Sequence, residues 1–328
     1  MPTISVIVPI YNAEADLPDL LACLQQQNYP AERVEYLLVD NNSQDRTQEL
    51  LQTLPQEAFH SLRETEIQSS YAARNQGIRA AKGEILVFTD ADCRPQPDWL
   101  RQIVQPFLDA ATGSSTGIVA GEITALPGDS YLERFANHQD VLSQKHTLAH
   151  PFLPYGQTAN LAVRRAIFDQ VGLFRPYLTT GGDADLCWRI LQQGWQIAPA
   201  AQAIVQHRHR STLADLRSQW RRYGRSNRFL HELHGIDLAR ELPWRVWLRR
   251  WSRWLLKEVP IALITAFIKV NGKRAGLSAW IDAMVETPLT LLCQQARAQG
   301  QRQAHLPEAA KEIAWLSSSC RRLADSNE

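Results

Sequence analysis

Residues 85–92 read Ile-Leu-Val-Phe-Thr-Asp-Ala-Asp, an apolar run typical of a buried strand that ends in two carboxylates, Asp90 and Asp92. In an open α/β sheet, ligands bind beyond the carboxyl ends of the strands. Two neighbouring carboxylates with no basic residue between them are costly unless a cation neutralises them, and such oxygen ligands suit Mg²⁺ or Mn²⁺ bridging the phosphates of a nucleotide. The alternative is a loop that begins with two solvated aspartates, one of which caps the next helix.

Strand and helix patterns alternate through the segment that leads to these carboxylates. Apolar runs predict strands at residues 4–8, 36–39 and 84–89, and helical spacing of apolar residues predicts helices at 14–27 and 71–81. The turns between them are short and polar. This order predicts an α/β fold, a mostly parallel, Rossmann-like sheet flanked by helices, which is an architecture typical of nucleotide-binding proteins.

The chain beyond residue 119 is less regular. We predict a helix over residues 129–147, a strand over 158–163, and a further helix over 183–193 that is closed by Gly194. No internal repeat and no low-complexity linker interrupts the 328 residues.

The charges of the chain are balanced in total but segregated along it. The whole chain has 35 basic and 34 acidic residues, yet residues 1–205 carry 14 Lys and Arg against 23 Asp and Glu. Residues 206–257 carry 13 basic and only 4 acidic residues. The basic block predicts contact with an anionic partner, such as a phosphate group or a membrane surface. It contains no recognisable nucleic-acid-binding module, so nucleic acid is not expected as a partner.

The five cysteines are scattered, with no Cys-x-x-Cys pair, which disfavours a disulfide framework or a zinc site and is typical of a reducing cytoplasm. No secretory signal is visible at the amino terminus. The apolar run at residues 259–268 has roughly half the length of a membrane span. We therefore expect a cytoplasmic protein without a transmembrane helix.

Residues 244–257 form a separate pattern. At 100° per residue, one helix face carries four tryptophans and two leucines, and the opposite face carries arginine and lysine. This composition is typical of a helix that lies in the interface of a membrane, which predicts peripheral contact with the anionic inner face of the cell membrane. The alternative is a core helix whose tryptophans pack on the protein itself.

Four motifs occur in a fixed order: Val-Ile-Val-Pro-Ile-Tyr-Asn-Ala-Glu at 6–14, Leu-Val-Asp-Asn-Asn-Ser-Gln-Asp-Arg-Thr at 38–47, Ala-Arg-Asn-Gln-Gly at 73–77 and Thr-Asp-Ala-Asp at 89–92. Together they resemble the family 2 glycosyltransferases over about residues 3–230. The resemblance implies the GT-A fold and a nucleotide-diphospho-sugar as donor. It divides the chain into a GT-A glycosyltransferase domain at 1–230 and a helical carboxyl-terminal region at 231–328.

The resemblance also implies a donor site. In the family, Asp40 accepts a hydrogen bond from uracil, which favours a UDP-sugar, and Arg74 lies near the base and the phosphates. The alternative for Asp40 is a helix cap. The residues expected to bind the donor are Pro9, Tyr11, Asn12, Glu14, Asp40, Arg74 and Asp90.

The metal ligands that the resemblance implies are Asp90, Asp92 and His207, with Mg²⁺ or Mn²⁺ as the ion. His209 is a competing candidate for the third position, and a plain polar loop residue is the alternative for either histidine.

The acceptor side is expected at residues 181–189, Gly-Gly-Asp-Ala-Asp-Leu-Cys-Trp-Arg. In the family, an aspartate at this position deprotonates the acceptor hydroxyl, and Asp183 matches it. The family commonly has glutamate immediately before it, whereas this chain has Gly182, a departure that puts the acceptor fit in doubt. The alternative for Asp183 is a helix cap, and Asp185 is expected to be structural.

The segment Gln-Trp-Arg-Arg-Tyr at 219–223 only faintly resembles a signature of processive synthases, so we predict a non-processive glycosyltransferase. Inversion is implied by the family resemblance and by Asp183 as the single candidate base. Its acceptor is expected to be a sugar or a lipid-linked sugar in surface polysaccharide or glycolipid assembly. Two other functions stay open: a sugar-phosphate nucleotidyltransferase, although residues 9–16 lack the glycines of its phosphate loop, and a non-catalytic nucleotide-sugar-binding module in which Gly182 marks a decayed site.

Overall fold

A computed structural model describes residues 1–55, 57–128, 130–263 and 275–316. The chain divides into two compact units: unit 1 comprises Met1–Leu126, Leu142–Arg208 and Leu306–Glu328, and unit 2 comprises Pro127–Val141 and His209–His305. These units reflect packing, whereas the predicted boundary at residue 230 followed a family resemblance. That boundary stays a prediction.

Unit 1 is built on one eight-stranded sheet. Its strands, in chain order, are β1 (Ile4–Ile10), β2 (Val34–Asp40), β3 (Phe59–Arg63), β4 (Ile85–Phe88), β5 (Cys93–Pro95), β6 (Thr116–Ala125), β7 (Leu161–Arg164) and β8 (Gln196–His207). They lie in the order β3-β2-β1-β4-β7-β6-β8-β5. The neighbours from β3 to β4 are parallel, as are β6 and β8, while β7 and β5 pair antiparallel with their neighbours. The predicted mostly parallel sheet is confirmed.

The helices of the described residues, in chain order, are α1 (Leu17–Gln25), α2 (Thr47–Gln52), α3 (Ser70–Ala80), α4 (Trp99–Leu108), α5 (Tyr131–His138), α6 (Gln144–Leu148), α7 (Phe168–Val171), α8 (Gly182–Gln192), α9 (Leu213–His234), α10 (Trp244–Arg253) and α11 (Ala275–Gln303). No helix in the described part of the chain has an apolar stretch long enough to cross a bilayer.

The strands predicted before residue 90 and the helices between them are present, with ends shifted by a few residues. The single helix predicted over 129–147 is wrong. Its residues form α5 and α6, because Asp140 and Leu142 between them have positive φ angles (48° and 73°), which a helix does not accommodate. The strand predicted over 158–163 begins only at Leu161, after one turn of 3₁₀ helix at Thr158–Asn160.

Parallel strands β1, β2 and β4 explain why the sequence motifs converge. Their backbones are in register, and all four residues of β4 are buried. Because their carboxyl ends meet at one edge of the sheet, the loops that follow Ile10, Asp40 and Phe88 lie side by side.

In unit 2, α9 and α11 cross at very short range. A Cβ atom on Gly224 of α9 would lie 1.9 Å from the carbonyl oxygen of Arg297, and one on Gly300 of α11 would lie 2.1 Å from that of Arg221. Glycine at both positions therefore lets the two backbones touch. The basic segment at 219–223 belongs to this pair of helices, and Arg221 Nε donates to the side chain of Gln299 at 3.2 Å.

Within unit 2, the apolar face with four tryptophans at 244–257 is partly packed and partly exposed. Trp254, in a turn of π-helix that follows α10, donates its indole N–H to the Met284 carbonyl on α11 at 2.8 Å, and the Trp251 ring packs edge-to-face on it at 5.3 Å. Trp244 and Leu248 are exposed by 67% and 49%. The interpretation as a core helix thus holds for Trp251 and Trp254, while Trp244 and Leu248 form an exposed apolar surface.

One buried side chain joins three parts of unit 1. The Asn160 amide donates to the carbonyls of Glu122 on β6 and Ala203 on β8, both at 2.7 Å, and accepts the indole N–H of Trp99 at 2.8 Å. The β6–β8 pairing shifts register between Gly121 and Glu122, so ordinary ladder bonds are interrupted there. A Cβ on Gly121 would lie 2.4 Å from the Asn160 amide, which requires glycine at that position.

We expect Asn160→Leu to destabilise the fold strongly, because two buried carbonyls and one indole N–H lose their partner. At about 1–3 kcal/mol for each unsatisfied group, the free energy of unfolding falls by about 3 kcal/mol or more in a urea titration. The control is Asn28→Leu, which removes an amide whose bond, to Asp98, lies at the surface. Equal losses in the two variants would contradict the role given to Asn160.

Candidate functional site

The loops that follow β1 and β2 are tied together by reciprocal hydrogen bonds. The Asn12 backbone N–H donates to Ser43 Oγ at 2.9 Å, and Asn12 Oδ1 accepts the backbone N–H of Gln44 at 2.8 Å. Two residues on, Glu14 Oε2 accepts the backbone N–H of Arg46 at 3.0 Å. Asn12 and Glu14, predicted to bind the donor, thus shape the loops beside the predicted site, and their contact with a donor stays a prediction.

A cavity of about 280 Å³ opens beside these loops. Its lining residues are Pro9, Ile10, Tyr11, Asn41, Gln68, Ser69 and Ser70. Tyr11 is 52% exposed, so its ring offers a flat apolar surface to a ligand. Pro9 and Tyr11, both predicted to lie against the nucleoside, are therefore brought together at one concave surface.

Asp40 ends β2 and is 1% exposed. Its Oδ1 accepts the backbone N–H of Ser43 at 3.1 Å, its Oδ2 accepts Gln48 Nε2–H at 3.0 Å, and Arg63 Nε lies 4.0 Å from Oδ2. These bonds hold the loop in the way that a capping carboxylate does, the alternative weighed for this residue. A contact between Asp40 and a nucleobase stays a prediction.

Arg74 and Asp90 form an ion pair at the end of β4. Arg74 Nη2 lies 2.5 Å from Asp90 Oδ1, and the arginine is 3% exposed. Its guanidinium also lies 5.5 Å from the ring centroid of Tyr71. The pair places a guanidinium at the carboxyl end of β4, where the phosphates of a donor are expected, and engages one of the two predicted metal ligands of this loop.

A potential metal site brings Asp92 and His207 together. His207 Nε2 lies 3.2 Å from Asp92 Oδ1, because β5 pairs with β8 and sets Cys93 opposite His207. Cys93 Sγ belongs to the same cluster, whose ligand atoms all lie within 4.8 Å of one another. Asp90 is instead engaged by Arg74, and its role as a metal ligand stays a prediction, as does that of the alternative His209.

The chemistry of this cluster fits Mg²⁺ or Mn²⁺. Burial raises the pKa of the Cys93 thiol well above its ordinary value, and the charges of Asp90 and Asp92 raise it further. The cluster offers a carboxylate oxygen, an imidazole nitrogen and one thiol, and its oxygen and nitrogen donors suit Mg²⁺ or Mn²⁺. The sequence analysis did not include Cys93; its position directly after Asp92 was the available signal.

Asp183 lies in the first turn of α8, after Gly181, whose positive φ (82°) turns the chain into the helix. The backbone N–H and the hydroxyl of Thr158 both donate to its carboxylate, at 3.3 and 3.1 Å. Burial raises the pKa of Asp183, the positive charge of Arg74 lowers it, and Asp90 raises it, with a net result above the ordinary value. A carboxylate of raised pKa, held by neutral donors, is suited to accept a proton.

Asp185, expected to be structural, is fully buried between two arginines. Arg175 Nε and Arg189 Nη2 each lie 3.0 Å from its carboxylate. These ion pairs fix the inner face of α8, and the structural expectation for Asp185 is confirmed.

The structure gives a steric reason for glycine at position 182, where the family commonly has glutamate. A Cβ on Gly182 would lie 2.7 Å from Cζ of Tyr71, and the Gly182 backbone N–H donates to the Tyr71 hydroxyl at 3.0 Å. The space that a side chain at 182 would fill is therefore occupied by a tyrosine from α3. Neither Tyr71 nor Thr158 was singled out in the sequence, because no local pattern links residues so far apart in the chain.

The comparisons with known proteins agree with the fold and the motifs. The sequence profile of "Glycosyl transferase family 2" matches residues 5–175. Glycosyltransferase AglE from Haloferax volcanii is 32% identical over 252 residues, which cover 76% of this chain and 80% of that protein. An undecaprenyl-phosphate 4-deoxy-4-formamido-L-arabinose transferase from Pseudomonas aeruginosa is 29% identical over 198 residues, 56% of this chain and 55% of that protein.

Among solved structures, the mannosyltransferase PcManGT from Pyrobaculum calidifontis, determined with GDP-Man and Mn²⁺, superposes with a TM-score of 0.58 at 20% identity. The superposition covers 92% of this chain and 87% of that one. This likeness confirms the predicted GT-A fold.

Proposed function

The chain belongs to glycosyl transferase family 2 and is a glycosyltransferase, and from this premise we propose that it transfers a sugar from a nucleotide-diphospho-sugar to an acceptor hydroxyl with inversion. The observation that carries the proposal is the half-buried Asp183, whose carboxylate has a raised pKa and is fixed by two bonds from Thr158.

The proposed reaction is a single displacement. Asp183 takes the proton of the acceptor hydroxyl as its oxygen bonds to the anomeric carbon, and the bond from that carbon to the diphosphate breaks. Asp183 is the one base candidate that the sequence analysis put forward, and a single base without a second, nucleophilic carboxylate favours inversion. Transfer of one sugar per encounter fits the faintness of the processive signature at residues 219–223.

The donor is proposed to lie between the cavity at Pro9 and Tyr11 and the Arg74–Asp90 pair, with its diphosphate towards Arg74. A UDP-sugar is favoured by Asp40, and GDP- or dTDP-sugars stay open, since Asp40 is already engaged by its own loop. When bound by Asp92 and His207, with Asp90 beside them, Mg²⁺ or Mn²⁺ would supply positive charge against the departing diphosphate.

The two alternatives lose support. A sugar-phosphate nucleotidyltransferase conflicts with the family to which the chain belongs. A non-catalytic binding module needs no positioned base, whereas Asp183 is present and bonded by Thr158.

The first test is slow donor hydrolysis, which needs no known acceptor. We expect purified protein with Mn²⁺ to release one nucleoside diphosphate from a panel of UDP-, GDP- and dTDP-sugars, measured by chromatography. Asp92→Asn lowers this rate about 100-fold or more, because the charge that holds the cation is lost. Asp237→Asn, at an exposed carboxylate of unit 2, serves as the matched control and keeps the rate. Equal rates in the two variants would contradict the metal site.

The pH dependence of the same reaction, in which water takes the place of the acceptor hydroxyl, tests Asp183. Only the ionised carboxylate accepts a proton, so kcat rises with pH through the pKa of Asp183, and this rise lies above the ordinary value of 3.8. Asp183→Asn lowers kcat by about 10²–10⁴-fold and abolishes the rise. A variant that keeps the wild-type pH profile would rule Asp183 out as the base.

We further propose that the acceptor is lipid-linked and that unit 2 contacts an anionic membrane surface, as in surface polysaccharide or glycolipid assembly. The P. aeruginosa relative is named for an undecaprenyl-phosphate substrate. In this chain, the apolar surface at α10 and the turn after it is exposed, with Leu255 at 59% and Leu256 at 76%. Arg245 and Arg249 of α10 are also exposed, and their positive charge is the kind that anionic lipids attract.

Flotation with vesicles tests this contact. We expect recovery with phosphatidylcholine–phosphatidylglycerol (3:1) vesicles to exceed recovery with pure phosphatidylcholine and to fall with salt. Leu255→Ser/Leu256→Ser and Arg245→Glu/Arg249→Glu each reduce it, while Leu108→Ser, at a leucine of unit 1 that is 52% exposed, does not. If both double variants float like the wild type, or if the surface proves to be a dimer contact by sedimentation analysis, the membrane proposal is wrong.

A further inference from the structure

Tyr71 contacts both halves of the proposed active site. It is the second residue of α3 and is 6% exposed, and its ring stacks on Phe174 with centroids 5.4 Å apart. On one side its hydroxyl accepts the backbone N–H of Gly182, directly before Asp183. On the other side the Arg74 guanidinium lies 5.5 Å from its ring centroid.

The hydroxyl contact fixes the start of α8. The first backbone N–H groups of a helix have no partner within the helix, so a buried one needs an acceptor from elsewhere. The Tyr71 oxygen provides that acceptor to Gly182. Burial raises the pKa of the Tyr71 hydroxyl far above its ordinary value, so the group stays neutral and its geometry does not change with pH.

The ring contact concerns the donor side. A guanidinium over an aromatic face is attracted by the negative charge of the ring. Because Arg74 also pairs with Asp90, the Tyr71 ring helps to set where this ion pair lies. The neutral tyrosine has a second effect: a glutamate at 182 would put another negative charge beside Asp183 and raise its pKa further.

We propose that Tyr71 is a positioning residue that aligns the base Asp183 through its hydroxyl and the Arg74–Asp90 pair through its ring. It takes the space of the acidic side chain that the family commonly has at position 182. The inference rests on the proposed function, and its two contacts make separable predictions about kcat and about donor binding.

The test uses three variants and the nucleotide-sugar that the wild type hydrolyses. Tyr71→Phe keeps the ring and removes the acceptor for Gly182, so kcat falls about tenfold while the KM for the donor stays within about twofold. Tyr71→Leu also removes the ring, so KM rises as well, and the Mn²⁺-dependent binding of the nucleoside diphosphate weakens in calorimetry. The rise of kcat with pH that is assigned to Asp183 is measured for each variant.

Tyr36→Phe is the matched control. Tyr36 is also 6% exposed, its ring stacks on Phe59 with centroids 4.6 Å apart, and its hydroxyl donates to the Leu24 carbonyl at 2.9 Å. It therefore loses one buried hydroxyl bond in unit 1, made to α1 and not to a residue of the proposed site, and keeps the wild-type kcat. If Tyr71→Phe and Tyr36→Phe behave alike, or if kcat and KM change together in Tyr71→Phe, the inference is overturned.

A second measurement separates this inference from the proposed function. Gly182→Ala lowers the midpoint of thermal unfolding in the wild-type background, because its Cβ meets the Tyr71 ring, and the loss disappears in the Tyr71→Ala background. Equal losses in both backgrounds refute the contact whether or not any donor is hydrolysed. A wild type that turns over no nucleotide-sugar, with this coupling intact, counts against the proposed function alone.

Discussion

The face of unit 1 that carries the proposed active site depends on a single turn of 3₁₀ helix at residues 158–160. Its three residues point to different partners: Thr158 donates to Asp183, the Ala159 carbonyl accepts the Thr89 hydroxyl, and the Asn160 amide bonds to β6, β8 and α4. The proposed base Asp183, the end of β4 and the strand that carries His207 are thereby all bonded to one short segment. In a regular strand the side chains of Thr158 and Asn160 would lie on the same face, so the 3₁₀ turn lets them reach different partners.

The charged groups of the site affect one another's charge and pKa. Arg74 neutralises Asp90 and lowers the pKa of Asp183, while burial and Asp90 raise it. The result is a carboxylate that is a better base than a solvated aspartate, because a raised pKa means a stronger affinity for the proton. Burial and the charges of Asp90 and Asp92 raise the pKa of the Cys93 thiol, which lies in the same cluster.

The sequence predicted those parts of the fold and the site that are carried by contiguous patterns. The apolar runs of β1, β2 and β4 and the polar motifs directly after them sufficed to predict the sheet edge and the approach of Asp90 and Asp92 to it. Thr158 and Tyr71 could not be predicted, because their contacts with residues 182 and 183 join segments with no shared periodicity. The helix predicted over 129–147 failed because helical spacing of apolar residues does not reveal left-handed backbone at 140 and 142.

The tryptophan pattern at 244–257 likewise did not predict which residues of the segment are exposed. An angle of 100° per residue assumes one regular helix, but the turn at Trp254–Glu258 is a π-helix, which has more residues per turn and rotates the face that follows. Trp254, the first residue of this turn, packs inward, while the leucines at 255 and 256 are exposed. Composition correctly indicated an amphipathic segment. The residues that form its outer face are determined by the backbone geometry, which composition does not reveal.

The contact between Tyr71 and Gly182 also couples the residue types that the two positions accept. A Cβ at 182 would lie 2.7 Å from Cζ of Tyr71, so a larger side chain at 182 requires the ring to move or residue 71 to be smaller. We therefore expect residues 71 and 182 to tolerate change as a pair better than one at a time.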